Sequence, residues 1–117
     1  EAKALLAGGE EMMAPDLIVA EVGTGLARKA RMGEVPAAAA ARAVSHWLAW
    51  VGEGVVHLVP TAELLEGAYE LSLTLDHQLP DCLYLALAKR EGAPLVTADE
   101  RLVRKAKALK GVAVRLL

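Results

Sequence analysis

Apolar and polar positions along this chain fall into blocks of two different periods. Short apolar or β-branched runs bounded by glycine and proline predict strands at 11–14 (EMMA), 55–59 (VVHLV), 94–97 (PLVT) and 112–117 (VAVRLL). Longer stretches with helical spacing lie between them. Pro15 and Asp16 suit a helix start, and the helix runs to about Met32 before Gly33 ends it. Pro36 opens a second helix with an apolar stripe at Val44, Trp47, Leu48 and Val51, stopped by Gly52 and Gly54. Thr61 caps a third through Leu75, and the turn Asp76-His77-Gln78 leads to Pro80 and a fourth over 81–91, closed by Gly92. A fifth runs from Asp99 or Glu100 to Leu109 and stops at Gly111. Residues 1–7 (EAKALLA) read as a helix end halted by Gly8-Gly9. The fourth helix is apolar nearly all round, so its first two turns are expected inside the core.

Strands alternating with helices predict an α/β domain with a parallel sheet covered by helices on both faces. A length of 117 residues fits a single domain spanning 1–117. Apolar residues make up 55%, aromatics only 3%, and Phe is absent, so the core must be built from Ala, Leu and Val. The formal net charge of -2 supplies no global attraction to nucleic acid, which leaves local basic patches or a bound cation to provide it. The single cysteine, Cys82, cannot close an internal disulfide, which suits a reducing, cytoplasmic setting. No apolar run approaches the ~20 residues of a membrane span, so no membrane partner is expected. No glycine-rich phosphate loop is present in the required strand-turn-helix context.

Three acids stand where chemistry is plausible. Glu21 lies in the apolar run 17–22 (LIVAEV), within a turn or two of a helix start. It is either a solvated acid at the positive end of the helix dipole or a metal ligand. Asp81 follows Pro80 at the rim of a buried helix, where a carboxylate is either a first-turn acid or coordinated. Asp99 directly follows the strand 94–97 at its carboxyl end, where parallel α/β sheets bind ligands. The stretch Thr97-Ala98-Asp99-Glu100 also matches a capping box, with Thr97 as the cap and Glu100 reaching back. His46, His57 and His77 lack ligand spacing and read as surface or turn residues. Cys82 reads as a small core residue.

Taken together, 14–26 (APDLIVAEVGTGL), 81–92 (DCLYLALAKREG) and 93–102 (APLVTADERL) resemble the PIN-domain family of metal-dependent ribonucleases. That family includes the toxins of VapBC toxin-antitoxin pairs. The resemblance implies a PIN-like fold and endoribonuclease activity on RNA. It also implies Mg²⁺ or Mn²⁺ as cofactor, an antitoxin partner and a homodimer. Glu21, Asp81 and Asp99 match the family's acids, which hold the metal and carry catalysis. Thr97 matches the threonine of the Thr-x-Asp signature, and Thr24 stands where many members have Asn. Thr24, Thr97 and Arg28, seven residues after Glu21 on the same helical face, are the candidate substrate contacts. Clustered carboxylates of this kind hold hard cations that activate water for in-line attack on a phosphate.

The family opens with an apolar strand carrying an Asp, and no such strand is legible here. The first central strand of the sheet is therefore expected to be absent, and the domain N-terminally incomplete. Gly23 and Gly25 each cost the first long helix roughly 1 kcal/mol against Ala, unless they permit close packing. Two other classes compete. A flavodoxin-like receiver would need a lysine near the end of its last strand, where 112–117 offers Arg115. A PIN-fold interaction module without activity is the other. Trp50, at the edge of the second helix's stripe, is either core or, if exposed, an anchor for a partner helix or a second copy of the chain.

Overall fold

The computed structural model describes residues 5–8 and 11–116. In chain order the elements are β1 (Leu5–Gly8), β2 (Glu11–Pro15), α1 (Ile18–Arg31), α2 (Ala37–Gly52) and β3 (Val56–Val59). After these come α3 (Thr61–Leu75), α4 (Leu79–Glu91), β4 (Leu95–Thr97), α5 (Glu100–Ala106) and β5 (Val114–Leu116). One five-stranded sheet has the order β3-β2-β1-β4-β5. β2 pairs with β3 and β4 with β5 in parallel, whereas β1 runs antiparallel to both β2 and β4.

This corrects two expectations. The helix end read over 1–7 is a strand from Leu5 onward, and residues 1–4 lie outside the described residues. The sheet has no central gap, because β1 occupies the middle and pairs with a neighbour on each side. Backbone donors and acceptors that a gap would strand on β2 and β4 therefore have partners. Chain connectivity fixes the direction of β1. Gly8 pairs with Glu11, leaving only two residues between the strands. A parallel pair would need a crossover of roughly a dozen residues, so β1 and β2 can only form a hairpin.

The core forms around α4. Cys82, Leu83, Tyr84, Leu85, Leu87 and Ala88 are all buried, as its all-round apolar pattern requires. It packs on α3 and on β1, β2 and β4. Small side chains at Ala14, Ala68, Ala88 and Ala106 let these elements approach closely. The remaining strand and helix positions follow the sequence pattern to within a few residues, except that α5 ends at Ala106 rather than Leu109.

The second helix departs from expectation. Only Ala40 of α2 is fully buried, and Val44, Leu48 and Trp50 of the apolar stripe and its edge are exposed. Trp47 is the stripe residue that packs on the core, with its indole Nε1–H donating to the Val19 carbonyl at 3.3 Å. Among the described residues, no helix is long and apolar enough to cross a membrane.

Three helix starts are capped differently from the sequence reading, and at α3 Thr61 is the first helical residue while Pro60 takes the cap position without a side-chain bond. Asp16 does not cap α1, whose N-cap is Leu17 without a side-chain bond. The Asp16 Oδ1 instead accepts from the Thr61 backbone N–H at 3.0 Å and the Thr61 hydroxyl at 2.5 Å. An acid just past the end of β2 thus closes the start of α3. At α5 the cap is Asp99 itself, not Thr97, since the helix begins only at Glu100.

Candidate metal centre

Two of the three candidate acids come together where α4 begins and β4 ends. One ligand atom from each of His77, Asp81 and Asp99 lies within 4.8 Å of the others, and all three residues are partly buried. They line a cleft of about 120 Å³ with Asp76, Gln78 and Arg101.

Each side chain is positioned by local structure. Asp81 sits in the first turn of α4, after Pro80, where its charge favours the helix dipole. Asp99 accepts from the backbone N–H groups of Arg101 at 2.9 Å and Leu102 at 3.2 Å. Both bonds fall on Oδ1, so capping occupies one oxygen and leaves Oδ2 for another partner. Thr97, only 1% exposed, anchors this bend, its hydroxyl oxygen accepting from the Asp99 backbone N–H at 3.1 Å. Thr97 therefore holds Asp99 in place from beneath.

His77 is the site residue that the sequence reading set aside. It does lie in a turn, but its side chain is 5% exposed and its Nε2 is 2.6 Å from Asp81 Oδ2. The turn is pinned on several sides. The His77 backbone N–H donates to the Ser72 carbonyl at 3.2 Å, and the Ser72 hydroxyl donates to the His77 carbonyl at 2.6 Å. Asp76 closes α3 in the left-handed region at φ 48°, and the Lys105 ammonium donates to its carbonyl. The legible signal was the i, i+4 spacing of His77 and Asp81 at a helix start. His46 and His57 are exposed, as expected.

Glu21 stands outside this group of three. Its Oε1 accepts from the Tyr84 hydroxyl at 2.5 Å. Tyr84 is one turn beyond Asp81 on α4, so its phenol links the α1 acid to the helix that carries Asp81. Burial pushes the Tyr84 phenol well above its ordinary range, and the Glu21 hydrogen bond and the charges of Glu21 and Asp81 push it further. Burial likewise raises the Cys82 thiol to about 11, with Asp81 adding to the rise and Lys105 opposing it. Cys82 is thus an inert core thiol.

The candidate substrate contacts are spread apart. The Thr24 hydroxyl donates to the Ala20 carbonyl of its own helix at 2.9 Å. Arg28 lies on an exposed stretch of α1 beside a groove of about 510 Å³ that also involves Val22, Leu26 and Met32. Arg101, by contrast, lines the acidic cleft itself.

The donor set suits a divalent cation. It has two carboxylates, one with an oxygen left over from capping, and an imidazole whose buried Nδ1 has no hydrogen-bond partner among the described residues. No curated protein matches the chain. The family model for the PIN domain matches residues 1–108, nearly the whole sequence. The receiver reading lapses with that match: this chain belongs to the PIN-domain family.

Proposed function

We propose that this protein is a divalent-metal-dependent endoribonuclease, the toxin of a toxin-antitoxin pair. PIN domains are in general metal-dependent nucleases, and the ribonuclease and toxin assignments are the finer reading. The observation that carries it is the meeting of Asp81, Asp99 and His77 within 4.8 Å of one another beside Arg101. Asp81 and Asp99 hold the cation, with Mg²⁺ or Mn²⁺ as the family's usual occupants, and Glu21 serves as the third acid. A cation held there supplies Lewis-acid activation of water and offsets charge on the phosphate.

The protein's own groups do the rest. Thr97 and the α5 backbone fix the Asp99 carboxylate. Tyr84 holds Glu21 toward α4. Arg101 offers a guanidinium to a phosphate at the cleft mouth, and Arg28 and Thr24 extend the contact surface along α1. Unpaired RNA is the fitting substrate, since paired A-form helices hide their base edges. The exposed Val44, Leu48 and Trp50 on α2 support a protein partner, either the antitoxin or a second copy in a homodimer.

The test is cleavage of single-stranded RNA with Mg²⁺ or Mn²⁺ by the wild type and by Asp99→Asn. Asn caps a helix as well as Asp does, so this variant keeps the fold and removes the charge. Cleavage should fall by roughly 100-fold or more, the upper end of what losing even an outer-shell metal partner costs. RNA left intact by the wild type with either ion would favour the interaction-module reading. Cleavage that persists in Asp99→Asn or in EDTA would sink the metal site.

A further inference from the structure

We infer that His77 is a nitrogen ligand of the cation, so that this site prefers first-row transition ions to Mg²⁺. The inference rests on the metal-site reading above and deepens it by naming the class of ion. Carboxylate and water oxygens suit Mg²⁺, Ca²⁺ and Mn²⁺, whereas imidazole suits the later transition ions, whose affinities rise along the series from Mn²⁺. One imidazole in place of an oxygen donor therefore tilts the site away from Mg²⁺, which also loses its water shell reluctantly.

Three observations make His77 a ligand rather than a bystander. Its donor atom falls in the same group as those of Asp81 and Asp99, within 4.8 Å. Two ligands across one cation stand at most ~4.2 Å apart for bonds of ~2.1 Å, so a few tenths of an ångström of contraction seats an ion among all three. The side chain is only 5% exposed, and its Nε2 already faces the Asp81 carboxylate at 2.6 Å. The turn that carries the ring is also held in advance. The bonds of the 77 backbone to Ser72, and the Cys82 thiol near the His77 carbonyl at 3.9 Å, fix the turn that carries it. Preorganisation of this kind is what a ligand needs and a surface histidine lacks.

The competing account makes His77 only a structural partner of Asp81, their 2.6 Å contact closing the first turn of α4. The two accounts differ in what a cation does. Bound metal exchanges the His77–Asp81 contact for coordination in the first, and leaves the imidazole untouched in the second.

The experiment is pulsed electron paramagnetic resonance on the Mn²⁺-loaded full chain, with calorimetric titration of Co²⁺ and Mg²⁺ into wild type and His77→Gln. Gln keeps a hydrogen-bonding group beside Asp81 but replaces the nitrogen donor with oxygen. Directly coordinated nitrogen should modulate the Mn²⁺ signal of the wild type and vanish in the variant. Co²⁺ affinity should drop at least tenfold in His77→Gln, and Mg²⁺ affinity should change less than threefold. Metal binding without nitrogen modulation in the wild type overturns the inference and leaves the carboxylate site standing. Failure of the wild type to bind any of the three ions overturns both. The wild-type spectrum needs no variant, so poor folding of His77→Gln would not shield the inference.

Discussion

Helices α1 and α4 each carry one candidate acid near their N-terminal end, and the protein treats them differently. Helix α4 is sunk in the core with six buried residues, and Asp81 projects from it beside His77 and Asp99. Helix α1 buries only Ile18, and its Glu21 is held by a hydroxyl borrowed from Tyr84 on α4. A carboxylate on an embedded helix inherits that helix's rigidity. One on a half-exposed helix needs a tether to reach a defined place. The lesson is that the site is organised from α4 outward, and the Tyr84 phenol ties the Glu21 of α1 to it.

The sharpest way to break this comparison is to loosen α4. Leu85 is fully buried, so Leu85→Ala should cost about 2–5 kcal/mol by lost transfer energy and a residual cavity. Urea denaturation would measure it. A cost below about 1 kcal/mol would mean that α4 is not the rigid element.

Alkaline pH probes the same helix through Cys82, whose thiol is raised from 9.0 to about 11. A folded-state value above the unfolded one favours the neutral form on folding. The associated stability is fully present below pH 9 and is lost as pH climbs through 11. That rise corresponds to roughly 2–3 kcal/mol. Comparing unfolding midpoints of wild type and Cys82→Ala from pH 8 to pH 11 should therefore show a steeper fall for the wild type. Parallel pH profiles would contradict the burial effect on the thiol.

Cutting the tether should have a smaller effect. Tyr84→Phe keeps the buried ring and deletes the hydroxyl that donates to Glu21. A loss of roughly 1–2 kcal/mol is expected, at the low end for bonds to charged groups because Glu21 is partly exposed. RNA cleavage should decline as well, if Glu21 acts from that place. A variant with wild-type stability and cleavage would remove Tyr84 from the site.

The smallest effect has the opposite sign. Among the described residues, a Cβ at Gly23 would meet nothing within 4 Å outside its own helix, so close packing does not explain this glycine. Gly23→Ala should stabilise the chain by about 1 kcal/mol through helix propensity alone. A destabilised variant would show that α1 has a packed neighbour on that face.

The sequence by itself determined the order of most elements, the deep burial of α4 and two acids that do meet. Local rules suffice there. An all-round apolar helix has nowhere to go but the core, and an acid just past a strand's carboxyl end lies at the sheet's binding edge. Glycine and proline marked most boundaries because they act on their own backbone. Other features depended on partners remote in the chain. Residues 5–8 carry no strong strand signal and become a strand by filling the place between β2 and β4, where their backbone groups find partners on both sides. The stripe of α2 predicts an apolar face but not what covers it, and only Ala40 and Trp47 of that helix find the core. Asp16 was legible as a cap, but its helix is α3, 45 residues away. His77 looked like a turn residue because burial of a turn is set by the helices around it. Only the tertiary structure, by packing α3 against α4 and tying its end to Lys105 of α5, turned that histidine inward onto Asp81 and Asp99.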